Sequence, residues 1–353
     1  MTQKTDHPIN VAVIGVGTFG RNHARVYRHL QQQGEPIRLV GIVDADVQRA
    51  DAVASEFGVR AFGSVEQMLS THNEVEAASV AVPTSEHLSV AGNLMESGVD
   101  VLIEKPLAGD LQEADQLIEI AQKHKRIAQV GHLERFNPAI RATMPMVTQP
   151  MFFEVHRLSV FTPRSLDVDV VLDLMIHDLD VVLSLLNSPV KEIRAVGLPI
   201  LSGKVDIANA RLEFESGCVA NFTASRVSTE RVRKLRFFQP QQYISIDYGR
   251  QDVIVFKVGS VGTPSVNPDI KMEKPAVLAE EPLQAEIKSF LDAVHSRRKP
   301  VVSLEDGRRV LKVALEVAAS IQSHREKVNL GGIAPDRPPA SESTGHLDLP
   351  LKI

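Results

Sequence analysis

Hydrophobic and polar positions in the first part of the chain alternate between short β-branched runs and longer amphipathic stretches. This pattern is typical of a parallel sheet wound by helices. It predicts buried strands at Ile9–Gly15, Leu39–Asp44, Ala77–Val82, Val99–Ile103 and Ile127–Val130. It predicts helices between them at Phe19–Gln33, Val47–Phe57, Glu86–Ser97 and Leu111–Lys125. We therefore expect residues 1–130 to form a doubly wound, nucleotide-binding α/β domain.

After about residue 150 the pattern changes to consecutive strands with few helices between them. A strand at Phe152–Val160 and a helix at Val170–Leu186 come first. Further strands are predicted at Ile193–Val196, Ala208–Glu213, Cys218–Ser225, Val232–Phe238, Tyr243–Asp247 and Val253–Val258. Helices near Leu283–Ser296 and Asp306–Ser323 should close this α+β domain, which has an open, mostly antiparallel sheet and spans residues 131–330. Residues 331–353 are rich in proline and predict a flexible tail.

Composition narrows the possible partners and compartments. The 353 residues include 39 basic and 44 acidic side chains, so there is no basic excess for nucleic acid or for a membrane surface. No apolar run reaches the length of a transmembrane helix, and the polar start of the chain does not resemble a signal peptide. The single cysteine, Cys218, excludes a disulfide framework and a multi-cysteine metal site. We expect a cytoplasmic protein of two domains with no metal centre.

A glycine-rich turn after the first predicted strand indicates a dinucleotide site. The sequence Gly15-Val16-Gly17-Thr18-Phe19-Gly20 places G-x-G-x-x-G between that strand and the first helix, whose N–H groups would hold a diphosphate. Asp44 ends the second strand, where a carboxylate accepts ribose hydroxyls and repels a 2′-phosphate. No arginine follows Asp44 directly, because the next residue is Ala45. These features predict NAD in preference to NADP.

Two further strand ends should face the same crevice. Pro83 and Thr84 follow the Ala77–Val82 strand, and His87 stands one turn into the next helix. Glu104-Lys105-Pro106 follows the Val99–Ile103 strand, and its proline should hold the lysine against the nicotinamide end of the cofactor. Without this context, His87 would more often be a capping or surface residue.

A candidate acid–base pair lies on the Val170–Leu186 helix. Asp173 and His177 are four positions apart and should share one helix face, with Asp180 one turn later. An aspartate beneath a histidine would fix its tautomer, as a general base requires. Taken alone, such a pair would more often be a surface ion pair.

Together, the glycine-rich turn, Asp44, Glu104-Lys105-Pro106 and the Asp173–His177 pair resemble the glucose–fructose oxidoreductase/inositol dehydrogenase (Gfo/Idh/MocA) family, over roughly residues 9–325. The resemblance implies a Rossmann domain followed by an open-sheet domain. It also implies NAD(P)-dependent oxidation of a sugar or cyclitol hydroxyl, with Lys105, Asp173 and His177 in the catalytic positions. Many members have a glycine two residues before the histidine, whereas this chain has Met175.

Two stretches are similar to the UDP-N-acetylglucosamine 3-dehydrogenase subgroup: Gly131 to Pro138, and Arg157 to Asp169. A UDP-sugar carries a diphosphate, which arginine forks bind well. The candidate substrate residues, besides His177, are Arg135, Asn137, Arg157 and Arg164. The basic run Arg231–Arg236 has two alternative interpretations, as further phosphate ligands or as solvated cations at a sheet edge.

Three functions stay open at this point. They are an NAD-dependent nucleotide-sugar 3-dehydrogenase, a dehydrogenase of a free sugar or inositol, and a dinucleotide-binding regulator without turnover. Assembly is also predicted, because helices can cover only one face of the open sheet and its strands include Phe237-Phe238 and Val253-Ile254-Val255-Phe256. We expect a homodimer or homotetramer with a small-molecule substrate.

Overall fold

The first sheet of the computed structural model is parallel and has six strands in the order β3-β2-β1-β4-β5-β6. The structure describes residues 7–72, 74–162, 168–259 and 270–328, and the predicted tail lies outside them. The strands are β1 (Ile9–Ile14), β2 (Ile37–Val43), β3 (Arg60–Phe62), β4 (Ala77–Val80), β5 (Asp100–Glu104) and β6 (Ala128–Gly131). The helices between them are α1 (Thr18–Gln32), α2 (Val47–Phe57), α3 (Val65–Thr71), α4 (His87–Glu96) and α5 (Leu111–Lys123). The predicted doubly wound domain is confirmed, although β3 and α3 were too short for periodicity to reveal.

The second sheet has eight strands in the order β14-β13-β12-β11-β7-β10-β9-β8. Its strands are β7 (Phe152–Leu158), β8 (Val190–Leu198), β9 (Ile207–Phe214), β10 (Val219–Ser225), β11 (Val232–Gln239), β12 (Gln242–Asp247), β13 (Asp252–Val258) and β14 (Ile270–Glu273). Only the β7–β10 pair is parallel among the pairs described for this sheet. The predicted open, mostly antiparallel sheet is therefore confirmed.

Helices cover one face of the second sheet. The remaining helices are α6 (Pro138–Thr143), α7 (Ile176–Leu185), α8 (Pro282–Ser296) and α9 (Leu304–Lys327). Buried side chains of α7 and α9, such as Leu179 and Val317, share one core with Phe153 and Phe237 of the sheet. A turn of π-helix at Val171–Met175 leads directly into α7.

Helix α8 packs on the first sheet, which corrects the expectation that it closes the second domain. Its buried residues Ile287 and Phe290 share a core with Val11 of β1 and Tyr27 of α1. The chain after the second sheet therefore returns to the first domain, because the apolar face of α8 packs against β1 and α1.

The uncovered face of the second sheet carries a row of apolar side chains across neighbouring strands. Phe152, Phe238, Tyr243 and Phe256 are consecutive cross-strand partners, and Met272 continues the row. Adjacent ring centroids lie 5.7, 4.8 and 5.5 Å apart. We call these five residues the apolar row.

No helix in the described ranges combines the length and the apolar character that crossing a membrane requires.

Candidate active site

The glycine-rich turn joins β1 to α1 with very little space around two of its glycines. Gly15 has a φ of +80°, and a Cβ there would lie 2.7 Å from the carbonyl oxygen of Ala81. A Cβ on Gly20 would lie 1.8 Å from the carbonyl oxygen of Gly15. By contrast, a Cβ on Gly17 would meet nothing within 4 Å. The turn is therefore closed toward the sheet and open toward solvent, as a diphosphate cradle requires.

The first turn of α1 leaves its backbone N–H groups accessible. Gly17 is the N-cap and provides no side-chain hydrogen bond to the helix. Thr18 and Phe19 follow it and are exposed, with the Phe19 ring at 57% exposure. These positions are available to a bound ligand, in agreement with their predicted role at the cofactor.

A cavity of about 730 Å³ opens beside this turn. Its lining includes Gly15, Gly17, Asp44 and Pro83. Thr84 begins the short 3₁₀ turn that follows Pro83. The carboxyl ends of β1, β2 and β4 thus meet at one crevice, and the residues around it fit a dinucleotide.

Asp44 is held by four hydrogen bonds at the end of β2. It accepts from the backbone N–H groups of Val16 at 2.8 Å and Asp46 at 2.9 Å. The Arg49 guanidinium donates to both carboxylate oxygens, at 2.9 and 2.7 Å. Burial alone would raise the pKa of Asp44, but these hydrogen bonds outweigh it and hold the pKa below its usual value.

Arg49 was not predicted at this site, because it is five residues from Asp44 in the sequence. The start of α2 at Val47 turns the chain back, so that the guanidinium five residues later reaches the carboxylate. An arginine therefore does stand beside Asp44, contrary to the sequence-based argument. The capping aspartate Asp46, which marks the helix start, was the available signal.

The imidazole of His87 is engaged by main-chain groups, and its predicted cofactor contact stays a proposal. Its Nδ1 lies 3.2 Å from the carbonyl oxygen of Leu107, and its Nε2 lies 3.1 Å from that of Val82. The side chain is buried, and burial lowers its pKa. Both ring nitrogens thus face main-chain oxygens, and His87 ties two crevice loops together.

The Glu104 carboxylate at the end of β5 points into the protein. It lies 2.9 Å from Nε2 of His23, and Nδ1 of His23 lies 3.0 Å from the hydroxyl of Ser79. Burial would raise the pKa of Glu104, whereas the His23 contact lowers it below its usual value. The side chain of Glu104 is therefore engaged beneath the crevice. The predicted contact between Glu104 and the cofactor remains a proposal, and it concerns the main-chain atoms of this residue.

Lys105 reaches from the first domain to the π-helical turn that leads into α7. Its Nζ donates to the carbonyl oxygen of Asp173 at 2.8 Å and lies 3.6 Å from Oδ1 of the same residue. Burial lowers the pKa of Lys105 below its usual value, although the charges of Asp173 and Glu104 oppose that effect. The lysine is thus a desolvated cation at the junction of the two domains.

The expected hydrogen bond between Asp173 and His177 is absent. Nδ1 of His177 is buried and has no hydrogen-bond partner. The π-helical turn at Val171–Met175 is the physical reason, because a wider turn no longer stacks positions four residues apart. Burial and the charges of Lys105 and Arg157 hold the pKa of His177 well below its ordinary value. His177 is therefore a neutral imidazole near a lysine cation.

Arg135 and Asn137 are hydrogen-bonded inside the protein, so the structure gives no support to their predicted substrate role. The Arg135 guanidinium forms two hydrogen bonds with the buried carboxylate of Asp180. Asn137 caps α6 through its side-chain oxygen and donates to the carboxylate of Glu134 and the carbonyl of Tyr248. These side chains are buried and hydrogen-bonded within the protein, so the structure assigns them a role in holding the fold together.

Arg157 is likewise engaged inside the protein, contrary to the sequence expectation. It donates to both oxygens of Asp178, at 2.7 and 2.9 Å, and to Glu134 at 3.1 Å. Its guanidinium carbon lies 5.3 Å from the ring centroid of Tyr248. Burial opposes the charged form, but the carboxylates of Asp178 and Glu134 prevail and raise the pKa of Arg157. Arg164, the remaining predicted substrate arginine, lies outside the described residues.

Residues 232–236 of the basic run lie on the interior strand β11, and Arg231 directly precedes that strand. Strand β11 is paired on both sides, by β12 and by β7, so the sheet-edge interpretation is wrong. Arg236 pairs with Glu154 on the uncovered face at 3.0 Å. Arg233 instead shares the helix-covered face with Leu235 and is the cross-strand partner of Arg157.

His132 is a second residue near the site that sequence analysis did not select. It is buried, and neither of its ring nitrogens has a hydrogen-bond partner. Its charge, when present, lowers the pKa of His177, and burial lowers its own pKa. Its place directly after β6, at the carboxyl edge of the sheet, was the signal that could have identified it.

Comparison with known proteins agrees with this architecture. Residues 9–132 match the oxidoreductase family with an NAD-binding Rossmann fold, and residues 146–243 match the GFO/IDH/MocA C-terminal domain. The chain is 38% identical over 320 residues to a UDP-N-acetylglucosamine 3-dehydrogenase of Acidithiobacillus ferrooxidans, covering 90% of this chain and 99% of that protein.

A solved structure of the Acidithiobacillus ferrooxidans UDP-N-acetylglucosamine 3-dehydrogenase superimposes with a TM-score of 0.82 at 37% identity, covering 90% of this chain and 98% of that one. A myo-inositol 2-dehydrogenase of Thermotoga maritima is 25% identical, covering 90% of this chain and 97% of its own length.

Proposed function

The chain belongs to the Gfo/Idh/MocA family of NAD-binding oxidoreductases, and on that premise we propose that it oxidises the 3-hydroxyl of a UDP-N-acetylhexosamine. The product would be a 3-keto nucleotide sugar and NADH. The observation that carries the proposal is that Lys105 is hydrogen-bonded to Asp173, four residues before His177, and that its charge acts on the His177 imidazole. Oxidation of an alcohol needs a base that accepts the hydroxyl proton and a cation that stabilises the negative charge on the oxygen, and a neutral imidazole and a desolvated lysine can supply these two functions.

The substrate hydroxyl must lose its proton as hydride leaves the same carbon. We assign the proton to His177, because its lowered pKa keeps the imidazole neutral and able to accept a proton at neutral pH. Lys105 would donate a hydrogen bond to the same oxygen and stabilise the negative charge that develops there. The opposite assignment remains testable, because burial also lowers the pKa of Lys105.

Asp173 contributes by anchoring Lys105. Its carbonyl oxygen and carboxylate both lie within 4 Å of the lysine Nζ, at 2.8 and 3.6 Å. This replaces the tautomer-fixing role that the sequence predicted, because the His177 ring has no hydrogen bond to Asp173.

NAD, when bound, supplies the carbon that accepts the hydride. The Gly15–Gly20 turn would hold its diphosphate, and Asp44 would hold the adenosine ribose. The cavity beside these residues fits this use, because Gly17 leaves the space above the helix N-terminus open.

The choice of substrate rests on the relative that is 38% identical and acts on UDP-N-acetylglucosamine. A dehydrogenase of a free sugar or inositol is the second candidate, because an inositol dehydrogenase is also similar over 90% of the chain. A regulator without turnover has no need of Lys105 and His177 in this arrangement.

The test is NADH formation against UDP-N-acetylglucosamine, UDP-N-acetylgalactosamine, free N-acetylglucosamine and myo-inositol. We expect NADH only with the UDP-sugars, and a product that has lost two hydrogen atoms by mass spectrometry. Turnover of myo-inositol without turnover of either UDP-sugar would contradict the proposed substrate. Absence of turnover with every compound, alongside tight NAD binding, would favour the regulator.

We further propose that a second copy of this chain covers the apolar row in a homodimer, or in a homotetramer built from such dimers. Phe238 is 37% exposed and Met272 is 67% exposed. A continuous strip of such side chains on a sheet face is unusual for a surface that stays in water. The single cysteine, Cys218, is free and buried, which is compatible with the proposed cytoplasmic location.

A further inference from the structure

Arg157 and Arg233 are cross-strand neighbours on the inner face of the second sheet, near the active site, but only Arg157 is hydrogen-bonded to carboxylates. Arg157 takes both oxygens of Asp178 and one of Glu134, and Arg135 takes Asp180. Arg233 lies beside Arg157, yet within the described ranges it has no hydrogen-bond or salt-bridge partner for its side chain.

The surroundings of Arg233 disfavour its positive charge. Its pKa is lowered by burial and then by the charge of Arg157, and the nearby Glu134 and Asp178 only partly oppose this. Those two carboxylates are already hydrogen-bonded to Arg157. The Arg233 side chain is nevertheless exposed, so a ligand anion can reach its guanidinium from solvent and form charged hydrogen bonds with it.

Arg231 adds a second cation to the same place. It is two residues before Arg233, and its charge also lowers the pKa of Arg233. Within the described ranges, the Arg231 side chain likewise has no acidic partner. An anion between these side chains would relieve their repulsion.

The position is connected to the catalytic residues. Arg233 is among the charges that lower the pKa of His177, so the two side chains interact electrostatically. The backbone oxygen of Arg233 accepts from the N–H of Tyr248 at 3.0 Å, which places it in the ordered part of the sheet. An anionic group bound here would belong to a substrate whose reacting hydroxyl faces His177 and Lys105.

We propose that Arg233, assisted by Arg231, binds the diphosphate of the nucleotide sugar. This inference rests on the proposed function, because a free sugar or inositol carries no such group. A guanidinium fork matches two phosphate oxygens, and two cations match the two charges of a diphosphate. The phosphate contacts that the sequence assigned to Arg135 and Arg157 are thus assigned to Arg231 and Arg233. Arg135 and Arg157 are buried and paired, whereas the side chains of Arg231 and Arg233 have no hydrogen-bond partner within the described ranges.

The test compares Arg233→Gln and Arg231→Gln with Lys234→Gln. Lys234 is a matched control, because it is the next residue on the same strand but faces the uncovered side. UDP is the probe, titrated by calorimetry, and KM for UDP-N-acetylglucosamine is measured in parallel. Loss of a charged hydrogen bond should raise the UDP Kd and the KM about 10- to 100-fold in Arg233→Gln. Arg231→Gln should have a smaller effect.

Three control measurements and one conservative variant distinguish a loss of binding from a loss of structure. NADH affinity, melting temperature and the mass in solution should match the wild type in all three variants. Arg233→Lys keeps the charge without the fork, so it should lie between wild type and Arg233→Gln and covers the case of a glutamine variant that misfolds.

Two results would overturn the inference, and they differ from each other. If the wild type binds UDP and Arg233→Gln binds it equally well, the diphosphate lies elsewhere and the proposed function stands. If the wild type binds no UDP and converts a free sugar, the proposed function fails and the inference fails with it.

Discussion

The Lys105 ammonium is bonded to the carbonyl oxygen of Asp173 at 2.8 Å, so a residue of the first domain is anchored to the helix of the second. This contact links the strand end that faces the nicotinamide to the helix that carries His177. It also takes the place of the Asp173–His177 bond that sequence spacing predicts. Asp173 therefore positions the Lys105 side chain. The His177 ring makes no hydrogen bond to Asp173 and can interact with a substrate.

Replacing His177 by alanine should lower kcat at least about 100-fold, because general-base catalysis contributes that much or more. NAD affinity, measured by NADH fluorescence, should be unchanged. Since the pKa of His177 lies well below 6.5, activity of the wild type should fall only below that pH, as the ring gains a proton. If His177→Ala retains near-normal turnover and Lys105→Met removes the acidic limb, the lysine is the base.

Replacing Asp173 by asparagine should move the basic limb of the kcat–pH profile to lower pH. The Asp173 charge raises the pKa of Lys105 against the effect of burial, so its removal makes the lysine lose its proton earlier. The activity that depends on the lysine cation is then lost at a lower pH. A displaced acidic limb with an unchanged basic limb would show that Asp173 acts on His177 instead.

Asp44→Ala should weaken NAD binding by about tenfold or more, since charged hydrogen bonds contribute on the order of 1.5–3 kcal/mol. It should also narrow the preference for NAD over NADP, because the released Arg49 becomes available to a 2′-phosphate. Titrations with NADH and NADPH measure both effects. Asp110→Ala is the control, because it removes the N-cap of a different helix, α5, and should lower stability while leaving dinucleotide choice unchanged. An Asp44→Ala protein that still prefers NADH as strongly would contradict this role.

The free energy of unfolding should fall as the pH rises, because the buried carboxyl group of Glu286 holds a proton in the folded state. Its carboxylate oxygens are buried without partners, and burial and then the charge of Glu104 raise its pKa well above 4.5. The folded state therefore holds a proton that the unfolded chain releases, and stability is lost between pH 4.5 and the raised pKa. The slope reaches about 1.4 kcal/mol per pH unit for one proton. Urea unfolding of Glu286→Gln should show a shallower fall over this range, and identical slopes in both proteins would refute the assignment.

Phe238→Glu should convert the proposed oligomer into monomers. The side chain lies in the middle of the apolar row, 4.8 Å from the Tyr243 ring, and a carboxylate there would have to be buried on association. Light scattering at micromolar concentration measures the mass. Val196→Glu is a control, because it lies on the outermost strand β8 with similar exposure, 37%. A monomeric wild type would eliminate the assembly proposal.

The glycine-rich turn and the strand ends could be predicted because their requirements are local. The close approach of Gly20 to Gly15 involves residues five positions apart, and Asp44 needs only to end a strand. Charge pairing could not be predicted in the same way. Arg135 and Asp180 are 45 residues apart, and Arg157 and Asp178 are 21 apart. Sequence analysis therefore assigned both arginines to substrate.

The sequence by itself determined the element types, the doubly wound first domain, the open second sheet and the place of the dinucleotide turn. These follow from periodicity and turn chemistry, which act over a few neighbouring residues. The tertiary structure alone decided which basic side chains lack a salt-bridge partner, which residue Asp173 contacts and which face of β11 is turned toward the active site. Burial and long-range pairing set those outcomes, because Asp178 and Glu134 accept hydrogen bonds from Arg157 and not from Arg233.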